Sequence, residues 1–206
     1  MPHQSLQTLL PLLSLILALA PGCAQDIGFA DADDSAGSED GADGDGDGDS
    51  GRIATETEAG VSATVVDATD EAEWVYLDLD TGSEVDASGP WDLGFRRFEI
   101  IVNGGINGEL GVEASIVEDA TLADVEAVPA DATWITDAAD ANDDGEPELA
   151  WGDWYDYDPA THVLVPKPRV YLIRSSELAV FAIDIDDYYS QAGTAGTLQF
   201  HWMGID

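Results

Sequence analysis

The stretch Trp91-Asp92-Leu93-Gly94-Phe95-Arg96-Arg97-Phe98-Glu99-Ile100-Ile101-Val102-Asn103-Gly104-Gly105 decides how the rest of the chain is read. Trp91, Leu93, Phe95 and Ile101 fall on one face of an extended backbone, with Arg97 and Glu99 between them. Period two with aromatic and β-branched residues predicts one long strand over 91–102, half buried in a sheet. Asn103-Gly104-Gly105 then predicts a turn, since glycine adopts positive φ without steric cost.

The same period continues on both sides. Trp74-Val75-Tyr76-Leu77-Asp78-Leu79 predicts a strand stopped by Asp80-Thr81-Gly82-Ser83. Further strands are predicted over 110–117, 151–157, 162–165, 169–174, 178–184 and 197–203, with Ser175-Ser176-Glu177 short enough for a hairpin. One short helix is predicted over 119–128, where Leu122 and Val125 follow helical spacing and Pro129 stops it. Leu198, Phe200 and Trp202 form one face of the last strand, a core face, and Gln199, His201 and Met203 the other. Many short strands at close spacing predict an all-β, antiparallel, sandwich-like single domain over residues 59–206, with at most that one helix.

Composition bounds the rest. Apolar residues make up 45% of the 206, and six Trp, six Tyr and five Phe can fill a core. The net charge is −37, from 43 acids against six Lys and Arg. Such a surface repels phosphate backbones and excludes nucleic-acid partners. No G-x-S-x-G elbow, H-E-x-x-H or P-loop occurs, which argues against an enzyme.

The N-terminus reads as an address. Residues 9–20 are almost wholly apolar, a length that suits a signal-peptide core better than a membrane span. Leu19-Ala20-Pro21-Gly22-Cys23 follows, and Cys23 is the chain's one cysteine. Small residues before a cysteine resemble a bacterial lipobox. The expected organisation is a signal peptide over 1–22, then Cys23 lipidated and a disordered, acidic Asp/Gly-rich tether over 23–58. Ala24 and Gln25 favour the outer membrane or cell surface over retention at the inner membrane. Neither calcium-loop register of Asp43-Gly44-Asp45-Gly46-Asp47-Gly48-Asp49 supplies both the glycine and the final glutamate that such a loop needs.

Trp74-x-Tyr76, Thr81-Gly82, Trp91-Asp92-Leu93-x-Phe95-x-Arg97, Asn103-Gly104-Gly105, Arg169-Val170-Tyr171-Leu172-Ile173-Arg174 and Thr197-Leu198-Gln199-Phe200 occur in an order that resembles the HmuY family of surface lipoproteins. The resemblance implies a mostly β, lipid-anchored domain that takes haem from a donor protein and passes it to an outer-membrane receptor. The best-known members hold haem iron between two histidines. Here one ligand position falls near Tyr157, and residues 131–148, which would supply the other, contain no histidine. Tyr157, His162, His201 and Met203 are the candidate iron ligands. Arg96, Arg97, Lys167 and Arg169 are the candidate propionate contacts.

Two other readings stand beside it. Asp140-Ala-Asn142-Asp-Asp144-Gly145-Glu146-Pro-Glu148 matches the start of a calcium loop, with oxygen ligands at Asp140, Asn142, Asp144, Glu146 and Glu148, although position 12 is Trp151. The same fold without haem would then be a calcium-stabilised surface module for protein or glycan contact. The aromatic run Trp151 to Tyr157 could line a sugar or pack across strands.

Overall fold

The computed structural model describes residues 51–140 and 142–206. Within them lie twelve strands: β1 Ile53–Glu58, β2 Val61–Asp67, β3 Val75–Asp78, β4 Ser83–Val85, β5 Leu93–Arg96, β6 Glu99–Val102, β7 Glu113–Glu118, β8 Tyr155–Asp158, β9 Val163–Pro166, β10 Arg169–Arg174, β11 Val180–Tyr189 and β12 Ala195–Ile205. They form a six-stranded sheet in the order β1-β2-β12-β11-β10-β7, a four-stranded sheet β4-β3-β5-β6, and the hairpin β8-β9. Every ladder is antiparallel. The fold is all-β, as the alternation predicts.

The two larger sheets enclose one core. Val75, Leu77, Leu93, Phe95, Ile100 and Val102 from the four-stranded sheet meet Tyr171, Ile173, Ile183, Leu198, Phe200 and Trp202 from the six-stranded one. Phe95 and Phe200 stack across the interface at 5.8 Å. Trp202 buries its indole and donates to Thr64 Oγ1 at 2.8 Å, which satisfies its one polar atom. A second cluster on the opposite face of the large sheet joins Val170, Leu172 and Ala182 to Ala120 and Val125. The segment 119–134 therefore packs on the sheet, but not as a helix. Only Leu122–Asp124 forms a 3-10 turn, capped reciprocally by Thr121 and Asp124. Val125 is already extended, and ten residues stopped by Pro129 are too few to offset helix nucleation.

Other boundaries shift for physical reasons. The long strand expected over 91–102 is a hairpin, β5–β6, turned at Arg97 and Phe98. Arg97 holds φ +53° there. Its guanidinium donates to Thr69 O at 3.0 Å and Ala195 O at 3.1 Å, so distant carbonyls hold a turn that has no glycine. β-structure also reaches back across the expected boundary at residue 58, because Ile53–Glu58 pairs along its whole length with β2. Thr55 and Thr57 hydroxyls bond Thr64 and Ser62 across that ladder. The strand expected over 151–157 begins only at Tyr155, and β9 begins after His162, which lies in the turn at φ +58°.

Buried polar groups tie the scaffold together. Asn103 donates to Trp91 O at 2.9 Å. Asp137 Oδ2 accepts from Val102 N–H and the Asn107 amide, and its Oδ1 from Ala150 N–H. Asp92, fully buried, accepts from Leu79 N–H at 2.8 Å and from Ser176 N–H, in the loop between β10 and β11, at 2.7 Å. Burial pushes the carboxyls of Asp92, Asp137 and Asp184 up. A raised carboxyl binds its proton more tightly when folded. Its contribution is full below the unfolded value, about 3.9, and is lost as pH rises through the folded value. Hydrogen bonds hold Asp70, Asp124, Asp153 and Asp158 down, chiefly from Ala72 N–H, the Thr121 hydroxyl, the Lys167 ammonium and Ala160 N–H respectively. Their contribution exists above that same value and fades below it. The melting temperature is therefore expected to rise on acidification from pH 7 to about pH 4 and to fall at lower pH. Calorimetry across that range checks it; a steady fall from neutral pH downward would contradict it.

Candidate functional site

The β8–β9 hairpin is built from Tyr155-Asp156-Tyr157-Asp158 and Val163-Leu164-Val165-Pro166, paired Tyr155 with Pro166 and Tyr157 with Leu164. The hairpin is fixed to the core on one side of its ladder. Trp154 is buried and its indole donates to Phe98 O at 2.8 Å; Leu164 N–H donates to the Tyr189 hydroxyl at 3.0 Å. Trp151 is also buried, stacked on Tyr171 at 4.1 Å between ring centroids. The aromatic run from Trp151 to Trp154 is thus core packing rather than a ligand face. Only at the hairpin's outer end does an aromatic emerge: Tyr157 is 51% exposed.

There Tyr157 meets His162. The phenol oxygen and His162 Nδ1 share a short hydrogen bond, with the rings 6.0 Å apart. The structure therefore joins two of the four candidate ligands. The other two lie on β12, on the outer face of the large sheet. His201 Nδ1 sits 2.7 Å from Asp186 Oδ2, and Met203 is paired in register with Ala182.

The candidate propionate contacts are all engaged. Arg96 pairs with Glu99 at 2.6 Å and stacks on Trp74; Arg97 serves the two carbonyls already named. Lys167, at the hairpin base, lies 2.5 Å from Asp153 and 3.9 Å from Asp156. Arg169 lies 3.1 Å from Glu118 and 3.9 Å from Asp153. Beside it, burial pushes the Tyr171 phenol up to about 12, so it stays protonated at neutral pH.

Asp140 and residues 142–148 curl on their own acids. Asp140 accepts from Asp144 and Gly145 N–H, Asn142 from Asp144 N–H, Asp144 from Glu146 N–H, and Glu148 from Asn142 N–H. Trp151, at the twelfth position, points into the core. A separate acidic group escapes sequence reading: Asp78, Asp80 and Asp92 bring one carboxylate oxygen each within 4.8 Å of one another. The strand β3 and the Trp-Asp motif that supply them are visible in sequence, but their juxtaposition depends on the β3–β5 ladder.

The HmuY protein family model matches residues 70–202. No curated protein sequence matches the chain. Among solved structures, the apo HmuY analog of Tannerella forsythia is similar at 16% identity and a TM-score of 0.54, over 75% of this chain and 97% of that one. Apo PinO from Porphyromonas gingivitis gives 16% identity and 0.55, over 73% and 99%. A Bacteroides fragilis protein described as a candidate lipoprotein gives 21% identity and 0.56, over 72% and 94%. At these identities the likeness bears on fold alone. Among the described residues no helix is long and apolar enough to cross a membrane.

Proposed function

The chain belongs to the HmuY family, and from that premise we propose that it is a surface lipoprotein that binds haem at the tip of the β8–β9 hairpin and passes it to an outer-membrane receptor. The observation that carries this reading is the exposed Tyr157 hydrogen-bonded to His162. A phenolate is an established ligand for ferric haem iron. With its proton on Nε2, His162 offers Nδ1 to the phenol hydrogen, which strengthens the phenol oxygen as a donor to the metal. Two-sided ligation by this pair does not fit: both residues come from one hairpin and are bonded to each other, while His201 is held by Asp186. Lys167, at the base of the same hairpin, is the cation best placed for a propionate, in competition with Asp153.

Anchoring belongs to the same proposal. The signal peptide, the lipidated Cys23 and the tether up to residue 50 lie outside the described residues, and their support is the sequence pattern. A lipoprotein cysteine carries more than one acyl chain, enough for stable membrane attachment. The reading makes the chain a carrier rather than an enzyme.

Tyr157→Phe keeps the ring and removes the ligand atom. It is expected to abolish the charge-transfer absorbance of phenolate-bound ferric haem, and His162→Ala to weaken binding by about 10- to 100-fold. Hemin titrations of the three proteins measure both. Equal affinity in all three would sink the assignment of Tyr157.

A second reading rests on the loop 140–148, whose side chains already curl as an oxygen-ligand loop does. Calcium bound there would stabilise a surface module for protein or glycan contact. Millimolar calcium would then raise the melting temperature by a few degrees, and Asp140→Ala would remove the rise. An unchanged melting curve rejects it.

A further inference from the structure

On the outer face of the four-stranded sheet Trp74 and Tyr76 project together. They alternate with Val75 and Leu77, which fill the core, so the core does not need these two rings. Gly94 lies beneath Tyr76 in register, and a Cβ there would come within 3.3 Å of the ring. Tyr76 leans on Trp91 at 4.9 Å. Glu73, Glu84 and Asp86 complete a cavity of about 480 Å³ around the two rings, against one lining base, Arg52.

The cavity already selects cations from its own chain. Arg52 places Nε 3.3 Å from Glu84 Oε1 and donates to Trp74 O at 3.1 Å. The Arg96 guanidinium lies 4.5 Å over the Trp74 ring. Glu84 Oε2, in contrast, is shielded from solvent and accepts no hydrogen bond. A shielded carboxylate oxygen without a donor is costly, and aromatic faces beside it attract positive charge. The field of a chain with net charge −37 adds to that attraction.

We propose that this cavity binds an organic cation, an ammonium or guanidinium group carried by a basic peptide segment or by a polyamine. The incoming group rests on the Trp74 and Tyr76 rings, and a small turn of the half-buried Glu84 carboxyl brings Oε2, shielded in the unbound protein, within its reach while Arg52 keeps Oε1. The site uses none of Tyr157, His162 and Lys167, on which the haem proposal rests.

Isothermal titration of the full chain with spermidine and with an amidated tetra-arginine peptide, in about 0.15 M salt to screen diffuse charge, tests this. Saturable one-to-one binding of either probe is expected, weakened at least about tenfold by Glu84→Gln and by Trp74→Ala. Glu109→Gln, an exposed acid outside the cavity, is expected to leave it unchanged. Whichever probe binds more tightly identifies the source of the cation. No saturable binding by either probe, or equal weakening by Glu84→Gln and Glu109→Gln, would overturn the proposal. So would binding of uncharged N-acetylglucosamine at the same cavity in place of the cations. Melting curves of each variant separate lost binding from lost folding.

Discussion

Replacing Gly105 with alanine is expected to unfold the protein at moderate temperature. Gly105 sits at φ +63°, and a Cβ built on it would lie 1.8 Å from Asp137 O. That oxygen accepts Ile106 N–H at 3.0 Å, so it cannot retreat without losing the bond. The adjacent Gly104 is no freer, since its Cβ would lie 2.2 Å from Val112 O. The obstacles are backbone atoms, which have no alternative rotamer. A cost of about 4 kcal/mol or more is expected, and a fall in melting temperature of roughly 10 °C or more for a domain of this size. Gly60 supplies the contrast. It also has positive φ, +87°, but nothing lies within 4 Å of its Cβ position. Gly60→Ala should cost only about 1–2 kcal/mol of backbone strain. Thermal melts followed by circular dichroism compare the two, and equal melting temperatures would contradict the close-approach account.

The second large effect is expected at Asp92. Its carboxylate spans the two sheets, with Leu79 N–H on one oxygen and Ser176 N–H on the other. Asp92→Ala leaves two buried donors without acceptors, at about 1–3 kcal/mol each. Removing a carboxyl whose burial disfavours its charge offsets part of that. A net loss of about 3 kcal/mol is expected, read as a lower urea midpoint with an unchanged slope. Asp92→Asn retains one acceptor and should lose about half as much. A variant as stable as the original would mean that burying the carboxyl costs as much as its two bonds return.

Both residues belong to the stretch from Trp91 to Gly105 that was most legible in sequence, and they show how far legibility reached. Alternation identified the core face of β12, because Leu198, Phe200 and Trp202 alternate with polar neighbours and are buried as that pattern requires. The Trp-Asp and Asn-Gly-Gly elements pointed to the family. Their physical role, holding one sheet to the other, could not be read locally, since Asp92 meets Ser176 84 residues away.

The misses have the same origin. The turn at Arg97 carries no glycine and is held by Ala195 O, 98 residues distant. The sequence of β1, Ile-Ala-Thr-Glu-Thr-Glu, reads as tether because it has little to bury; hydroxyl pairs and a full ladder hold it instead. At the candidate site, Tyr157 and His162 are both legible as candidate iron ligands. Five residues apart, they meet only because the β8–β9 turn folds them back. Lys167 and Arg169 carry no sign in sequence of the acids that engage them, because those ion pairs join different strands and loops. Trp74 and Tyr76 read as ordinary strand formers, and only the sheet shows that they face outward.

The most direct test of the central claim is a hemin titration of the protein at neutral pH, followed by absorbance. The account predicts a saturable one-to-one Soret change with the charge-transfer band of a phenolate on ferric iron. A flat titration would contradict haem binding by this member of the family, and a saturable change with the spectrum of two histidine ligands would contradict the site at Tyr157.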